Sequence, residues 1–205
     1  MKLINIFLYT ISTIILCSCI TEEPKATFDL TPYNFTDYRY KYHKKPIQIL
    51  VTEPNSTKFY NSENIIVKDQ FNSLKYLGNS QWADRLPNLI QNRFIEAFEN
   101  SDFFRAVERP GQRIDFNYEL ITNIRNFNVF VVDKNTTRTK ITIDAKLLNE
   151  RTGKVRATHI FNQEEEWQTP YYDAKNIPSY NYAVRLDNSF KQITKEIILW
   201  VRKYG

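Results

Sequence analysis

The sequence predicts an α+β fold, a two-layer domain with a mostly antiparallel sheet and two main amphipathic helices packed on it. Two observations carry this prediction. Alternating apolar runs from residue 114 to 163 give three strands of an antiparallel meander with one wet face. Apolar stripes at spacings of three and four run through residues 82–98 and again through 183–200. A one-sided helix must bury its stripe, and a sheet face is the partner that these strands offer.

The chain begins MKLINIFLYTISTIILCSCITEEPK. Lys2 supplies a positive start, Ile6 to Leu16 a mostly apolar run, and Ser18 a small residue before Cys19. That order reads as a secretory signal peptide. An uncleaved anchor is the weaker alternative, because the run is at the short end for a span and carries Asn5 and several hydroxyls. Leu16-Cys17-Ser18-Cys19 looks like a bacterial lipobox, with Leu three before and a small residue just before the modified Cys. Cys19 is therefore expected to be the lipidation site, carrying fatty acyl chains such as palmitate at a new N-terminus. Cys17 is the only other cysteine. Removal of residues 1–18 would then leave no disulfide, no Cys-metal site and no thiol nucleophile.

The remaining elements follow in order. Residues 20–45 lack clean periodicity and read as a linker from the anchor. PIQILVTEP (46–54) alternates Ile47, Ile49 and Val51 on one face and stops at Pro54, a strand. Asn64 to Lys68 is a second short strand. YLGNSQ (76–81) reads as a turn and helix start, with Asn79 or Ser80 as N-cap. In the next helix Pro87 forces a start or a kink at Asp84–Pro87, because an interior proline loses a hydrogen bond and clashes with the preceding turn. DFFRAV (102–107) is a short buried strand. Ile114, Phe116, Tyr118 and Leu120 alternate, and Ile124, Phe127, Val129 and Val131 continue after an expected bulge. Ile141, Ile143, Ala145 and Leu147 form the next strand, ERTG (150–153) turns, and 154–163 returns. EEEWQTPYYDAKNIPSY is read as an irregular loop. Ala183, Leu186, Phe190, Ile193, Ile197 and Trp200 form the last helix, with Asp187 and Lys191 paired on its other side.

Composition excludes several functions. Formal charge is +5, and +4 once residues 1–18 are gone with Lys2. The only basic cluster is YRYKYHKKP (38–46), too small a footprint for a nucleic-acid protein, so no nucleic acid is expected. Four glycines leave no room for a phosphate loop. His43 and His159 each lack a second ligand nearby, so no metal is expected. No G-x-S-x-G is present, and the carboxylates of EEEW (164–167) would point to alternate faces as neighbours in a strand or lie solvated at a loop end. No enzyme activity and no cofactor are expected. Aromatics in poorly periodic segments are the candidate partner-binding residues: Tyr38, Tyr40 and Tyr42 near the anchor, and Trp167, Tyr171 and Tyr172 before the last helix. The competing reading is that they pack down on the domain.

Taken together, IQILVTEP, FYNSENIIVKD, YLGNSQWADRLPNLIQNRFIEAFENSDFFRAV, IDFNYELITNIRNF and the terminal helix ending at Trp200 resemble the ABC-type transport auxiliary lipoproteins. Trp82, Ala83, Asp84, Leu86 and Pro87 with the apolar helix after them are the most specific portion. The resemblance implies a signal peptide at 1–18, a lipidated N-terminus and linker at 19–45, and an auxiliary α+β domain at 46–205. It implies a non-catalytic, periplasm-facing component of an MCE-type ABC system moving phospholipid or sterol-like lipid between membranes. The partners implied are an MCE-domain protein, a permease, an ATPase, the membrane through Cys19, and lipid. Ile20, rather than Asp, after the modified Cys implies the inner leaflet of the outer membrane under the usual sorting rule. The alternative is an envelope-assembly or secretion accessory lipoprotein, pilotin-like or lipopolysaccharide-export-like; an adjacent MCE subunit, permease and ATPase in the genome would separate the two.

Overall fold

The structure, a computed structural model, describes residues 24–38, 43–112, 114–133, 135–168 and 179–205. Nine strands form one sheet: β1 Ala26–Phe28, β2 Lys45–Val51, β3 Asn55–Ser56, β4 Asn64–Asp69, β5 Leu74–Trp82, β6 Phe104–Glu108, β7 Tyr118–Val131, β8 Thr136–Asn149 and β9 Lys154–Gln168. Among the described residues two α-helices, α1 Leu86–Ser101 and α2 Ser179–Tyr204, accompany them. The fold is α+β, as the sequence predicts.

β7 organises the sheet. Along one edge it takes β2, β3 and β4 in turn, all parallel, and along the other it takes β8 over nearly its whole length, antiparallel. β9 adds antiparallel to β8, and β5 antiparallel to β4. β1 lies parallel to β5, and β6 parallel to β2. The longest pairings are thus the antiparallel meander read from the alternation. Its expected bulge falls between Ile124 and Asn126, where the β7–β8 register shifts.

Leu120, Ile124, Phe127 and Val129 of β7 and Ile141, Ile143, Ala145 and Leu147 of β8 are all buried. The helices cover this face. Phe94 of α1 stacks on Phe190 of α2 at 5.5 Å, and Phe190 reaches Phe127 at 6.2 Å. The last helix carries its stripe as read, with Ala183, Leu186, Phe190, Ile193 and Ile197 buried and Trp200 half-buried. Lys191 pairs with Asp187 at 2.7 Å. Pro87 falls in the first turn of α1, where its missing N–H costs nothing. Asp84 stands just outside, accepting from the Arg85 N–H at 2.6 Å and from the Asn88 side-chain amide.

Four segments depart from the sequence reading. Residues 76–81 are not a turn and helix start; they lie within β5. β4 presents an antiparallel edge, and its register irregularity between Asn64 and Ile66 absorbs the awkward residues. Asn79 takes the left-handed region at φ 51°, and the Ser80 hydroxyl donates to the Gly78 carbonyl at 3.0 Å instead of capping a helix. Trp82 therefore closes a strand, 1% exposed and edge-on to Phe127 at 5.9 Å. Residues 114–117 do not join β7. The Asn117 side chain accepts from the Gln48 N–H at 2.7 Å and its own N–H donates to the Gln48 carbonyl at 2.9 Å, so the chain turns into the sheet at Tyr118. EEEWQ is not loop but the end of β9: Arg138 and Lys140 on β8 face Glu164 and hold it at 3.4 and 3.1 Å. Residues 26–38 are not free linker. They supply β1 and a single 3₁₀ turn at Thr36–Tyr38, and bury Leu30 and Phe35 in the core. Packing of the domain thus begins before residue 46.

Candidate partner-binding surfaces

Two of the six aromatics singled out in the sequence are described by the structure. Cys19, Tyr40, Tyr42, Tyr171 and Tyr172 lie outside the described residues. Tyr38 is half-buried. Its ring meets Phe35 edge-on at 5.8 Å, and the Lys195 ammonium sits 5.2 Å over it and 5.6 Å over Tyr33. The hydrogen bond to Tyr38, aided by Tyr33, holds Lys195 above its ordinary pKa. Phe35 in turn packs on Phe103 at 5.3 Å.

Trp167 is half-buried at the far end of β9. It lies 6.1 Å from Tyr182, and the Arg185 guanidinium covers it at 4.6 Å. Arg185 also binds Glu165 at 2.8 Å. Tyr38 and Trp167 both pack against α2, on opposite flanks of that helix, and the structure does not bring them together. Each is a fixed aromatic with part of its surface in water, which is what a contact residue requires.

The face of the meander away from the helices is a further surface, and sequence reasoning did not single it out. Arg125 and Asp144 form an ion pair at 2.6 Å there. They line a shallow cleft of about 630 Å³ together with Lys146, Thr158, His159 and Ile160. Its signal in the sequence was the polar half of the alternation, which marks solvent and contact surface alike. β9 pairs only with β8 among the described residues, and Glu164, Glu165, Glu166 and Arg156 along it guard that edge against unwanted strand pairing.

Among the described residues no three of His, Cys, Asp and Glu are grouped to hold a metal ion, and no helix is long and apolar enough to cross a membrane. The arrangement defines a class: a single mixed sheet with both helices on one face, presenting side chains for contact. The family follows from comparison. The description of the ABC-type transport auxiliary lipoprotein component matches residues 37–175, and the chain belongs to that family. Its members are lipoproteins that accompany ABC transporters, as the family's description states.

Among solved structures, protein XCC0632 from Xanthomonas campestris superposes with a TM-score of 0.72 at 21% identity, over 90% of this chain and 97% of that one. The CT253 protein of Chlamydia trachomatis superposes with a TM-score of 0.54 at 7% identity, over 78% of this chain and 98% of that one. At these identities the likeness is one of fold. The uncharacterized protein bll6063 of Bradyrhizobium diazoefficiens is 32% identical over 119 residues, 58% of this chain. The match spans 30% of that relative's length.

Proposed function

We propose that this chain is a periplasm-facing, non-catalytic auxiliary component of an MCE-type ABC transporter that moves phospholipid or sterol-like lipid between membranes. Residues 1–18 leave as a signal peptide, Cys19 carries the lipid, and the folded domain works by contact with the MCE-domain protein, the permease and the ATPase. Ile20 after Cys19 favours the inner leaflet of the outer membrane. The observation that carries the reading is the family match over residues 37–175 in a chain whose first residues end on Leu16-Cys17-Ser18-Cys19. Tyr38 and Trp167, each half-buried and held under a cationic side chain with part of its surface in water, suit contact with a partner.

The test is capture of the full-length chain from solubilised envelopes of the native organism. The MCE subunit, permease and ATPase are expected with it, and are expected to be lost on Trp167→Ala combined with Tyr171→Ala while the circular dichroism spectrum is unchanged. Labelling with a fatty-acid analogue is expected to mark the wild type and not Cys19→Ala. Hydrolysis of a lipid or glycan by the purified chain would overturn the non-catalytic reading.

A further inference from the structure

The β4–β5 hairpin carries an exposed apolar tip that the proposed role leaves unused. Phe71 is 81% exposed, and Leu74 and Tyr76 follow it along β5, exposed at 43% and 55%. The tip is not loosely held. The Asp69 carboxylate accepts from the Phe71 and Ser73 N–H groups, both at 2.9 Å. The Asp69 N–H donates to the Ser73 carbonyl at 3.1 Å, and the Asn72 N–H to the Asp69 carbonyl at 3.0 Å. Asn72 takes the left-handed region at φ 61°, which closes the turn. The aromatic ring is thus built outward from a rigid four-residue turn. Phe59 stacks on Tyr76 at 5.3 Å and stiffens the base of the hairpin on one face.

The chain's own path indicates what meets this tip. β1 is parallel to β5, with Ala26 level with Ser80 and Phe28 level with Trp82. β5 runs away from the hairpin tip, so the chain before Ala26 enters from the tip side. Leu74 and Gln81 of β5 stand opposite Lys68 and Asn64, four residues apart on β4, so Leu74 lies about 13 Å from the level of Gln81 and Thr27. Cys19 lies seven residues before Ala26, a reach of up to about 25 Å. A lipid on Cys19 can therefore lie at the same end of the molecule as Phe71. Tyr180, 54% exposed in the first turn of α2, stands at this end too, since α2 begins beside the end of β9.

The charges fit a phospholipid surface. Lys68 on β4 and Lys75 on β5 flank the tip, and Lys25 lies on the incoming chain. The acids facing them are Asp69, whose carboxylate is taken up by the turn, and Asp133 in the β7–β8 turn next to it. An aromatic ring with leucine and tyrosine behind it, flanked by lysines, is the composition found at the boundary between headgroups and acyl chains.

We infer that the β4–β5 hairpin is a second membrane contact: Phe71 and Leu74 enter the headgroup region of the membrane that holds the Cys19 anchor, with Lys68 and Lys75 on its anionic lipids, and so fix the orientation of the domain. The inference rests on the anchor reading above, and the two fail separately. The experiment uses the full chain bound to vesicles of phosphatidylethanolamine and phosphatidylglycerol. An environment-sensitive fluorescent amino acid is placed at position 71, and, in a control chain, at position 152 in the β8–β9 turn at the opposite end of the sheet. Lipids carrying a quencher at the headgroup boundary are expected to quench position 71 several-fold more than position 152. Intact mass on the same sample shows whether Cys19 is acylated. An acylated, bound chain with equal quenching at both positions would overturn the hairpin and leave the anchor. An unacylated chain that floats with vesicles, and stops floating on Phe71→Asp, would overturn the anchor and support the hairpin. An unacylated chain that does not float would overturn both. A blue shift at position 71 that depends on protein concentration and needs no vesicles would assign the tip to a second copy of the chain instead.

Discussion

Thr31 and Asp187 lie 156 positions apart and are joined by two hydrogen bonds. The Asp187 carboxylate accepts from the Thr31 N–H at 2.6 Å through Oδ1 and from the Thr31 hydroxyl at 3.1 Å through Oδ2, which also meets the Lys191 ammonium. This clamp ties the segment after β1 to the middle of α2. Arg93 on α1 holds the adjacent Asp29 at 2.6 Å, and the paired carboxylates of Asp29 and Glu96 raise the pKa of that guanidinium. The segment from Asp29 to Thr31 is therefore bound to both helices before the chain reaches the core residue Phe35.

Asp187→Ala should loosen the segment at 26–38 without unfolding the sheet. Two hydrogen bonds to a charged acceptor go, at a half-wet site, so the loss should be about 1–2 kcal/mol. Denaturant unfolding measures the loss, and limited proteolysis locates it: new cleavage is expected between residues 24 and 38. Unchanged stability together with an unchanged digestion pattern would show that the clamp holds nothing in place.

Phe94→Ala should cost about 3–5 kcal/mol, the usual penalty for emptying a buried aromatic site. Phe94 is 0% exposed and stacks on Phe190, so the cavity would open at the contact between the two helices. The check is the urea midpoint against wild type. A shift below about 0.5 kcal/mol, the size expected for a surface change, would contradict the packing described here.

The legible parts of this chain are those where one periodicity runs long enough to stand alone. α2 announces itself by a stripe of six residues, and β7 and β8 by alternation that even shows its bulge at Ile124–Asn126. The illegible parts depend on partners that the local sequence does not contain. YLGNSQ has the composition of a turn, and the edges of β4 and β1 make it a strand. Leu30 and Phe35 are isolated anchors in an aperiodic segment, so no pattern marks them before the core receives them. The three carboxylates of EEEW looked like a solvated end because Arg138 and Lys140, which pair with Glu164, arrive from another strand. For the surfaces, aromatic composition points to Tyr38 and Trp167 but not to the hairpin, because YLGNSQ reads as the beginning of a helix and Phe71 falls in no periodic run.

Stability should fall above about pH 10, and two buried tyrosines contribute to the fall. Tyr60 is buried, and its hydroxyl donates to the Asn128 side-chain carbonyl at 3.0 Å. Burial raises its pKa above the ordinary 10.0, against a smaller lowering by a backbone hydrogen bond from Phe127. Burial raises Tyr182 in the same way. A group whose folded pKa is raised binds its proton more tightly in the native state. Its contribution is complete below the unfolded value and is lost as pH climbs through that value toward the folded one. Lys195, half-buried and raised by its hydrogen bond to Tyr38, acts in the same direction. The expected pattern is a urea midpoint that is flat through neutral pH and declines above about pH 10. Tyr60→Phe should lower stability by about 1–2 kcal/mol at neutral pH, since Asn128, itself 0% exposed, loses a hydrogen-bond donor. The same variant should lose less than wild type as pH rises, because phenylalanine has no proton to release. Tyr60→Phe with Tyr182→Phe should flatten the alkaline limb further. A double variant with the same alkaline slope as wild type would mean that neither buried hydroxyl is linked to folding.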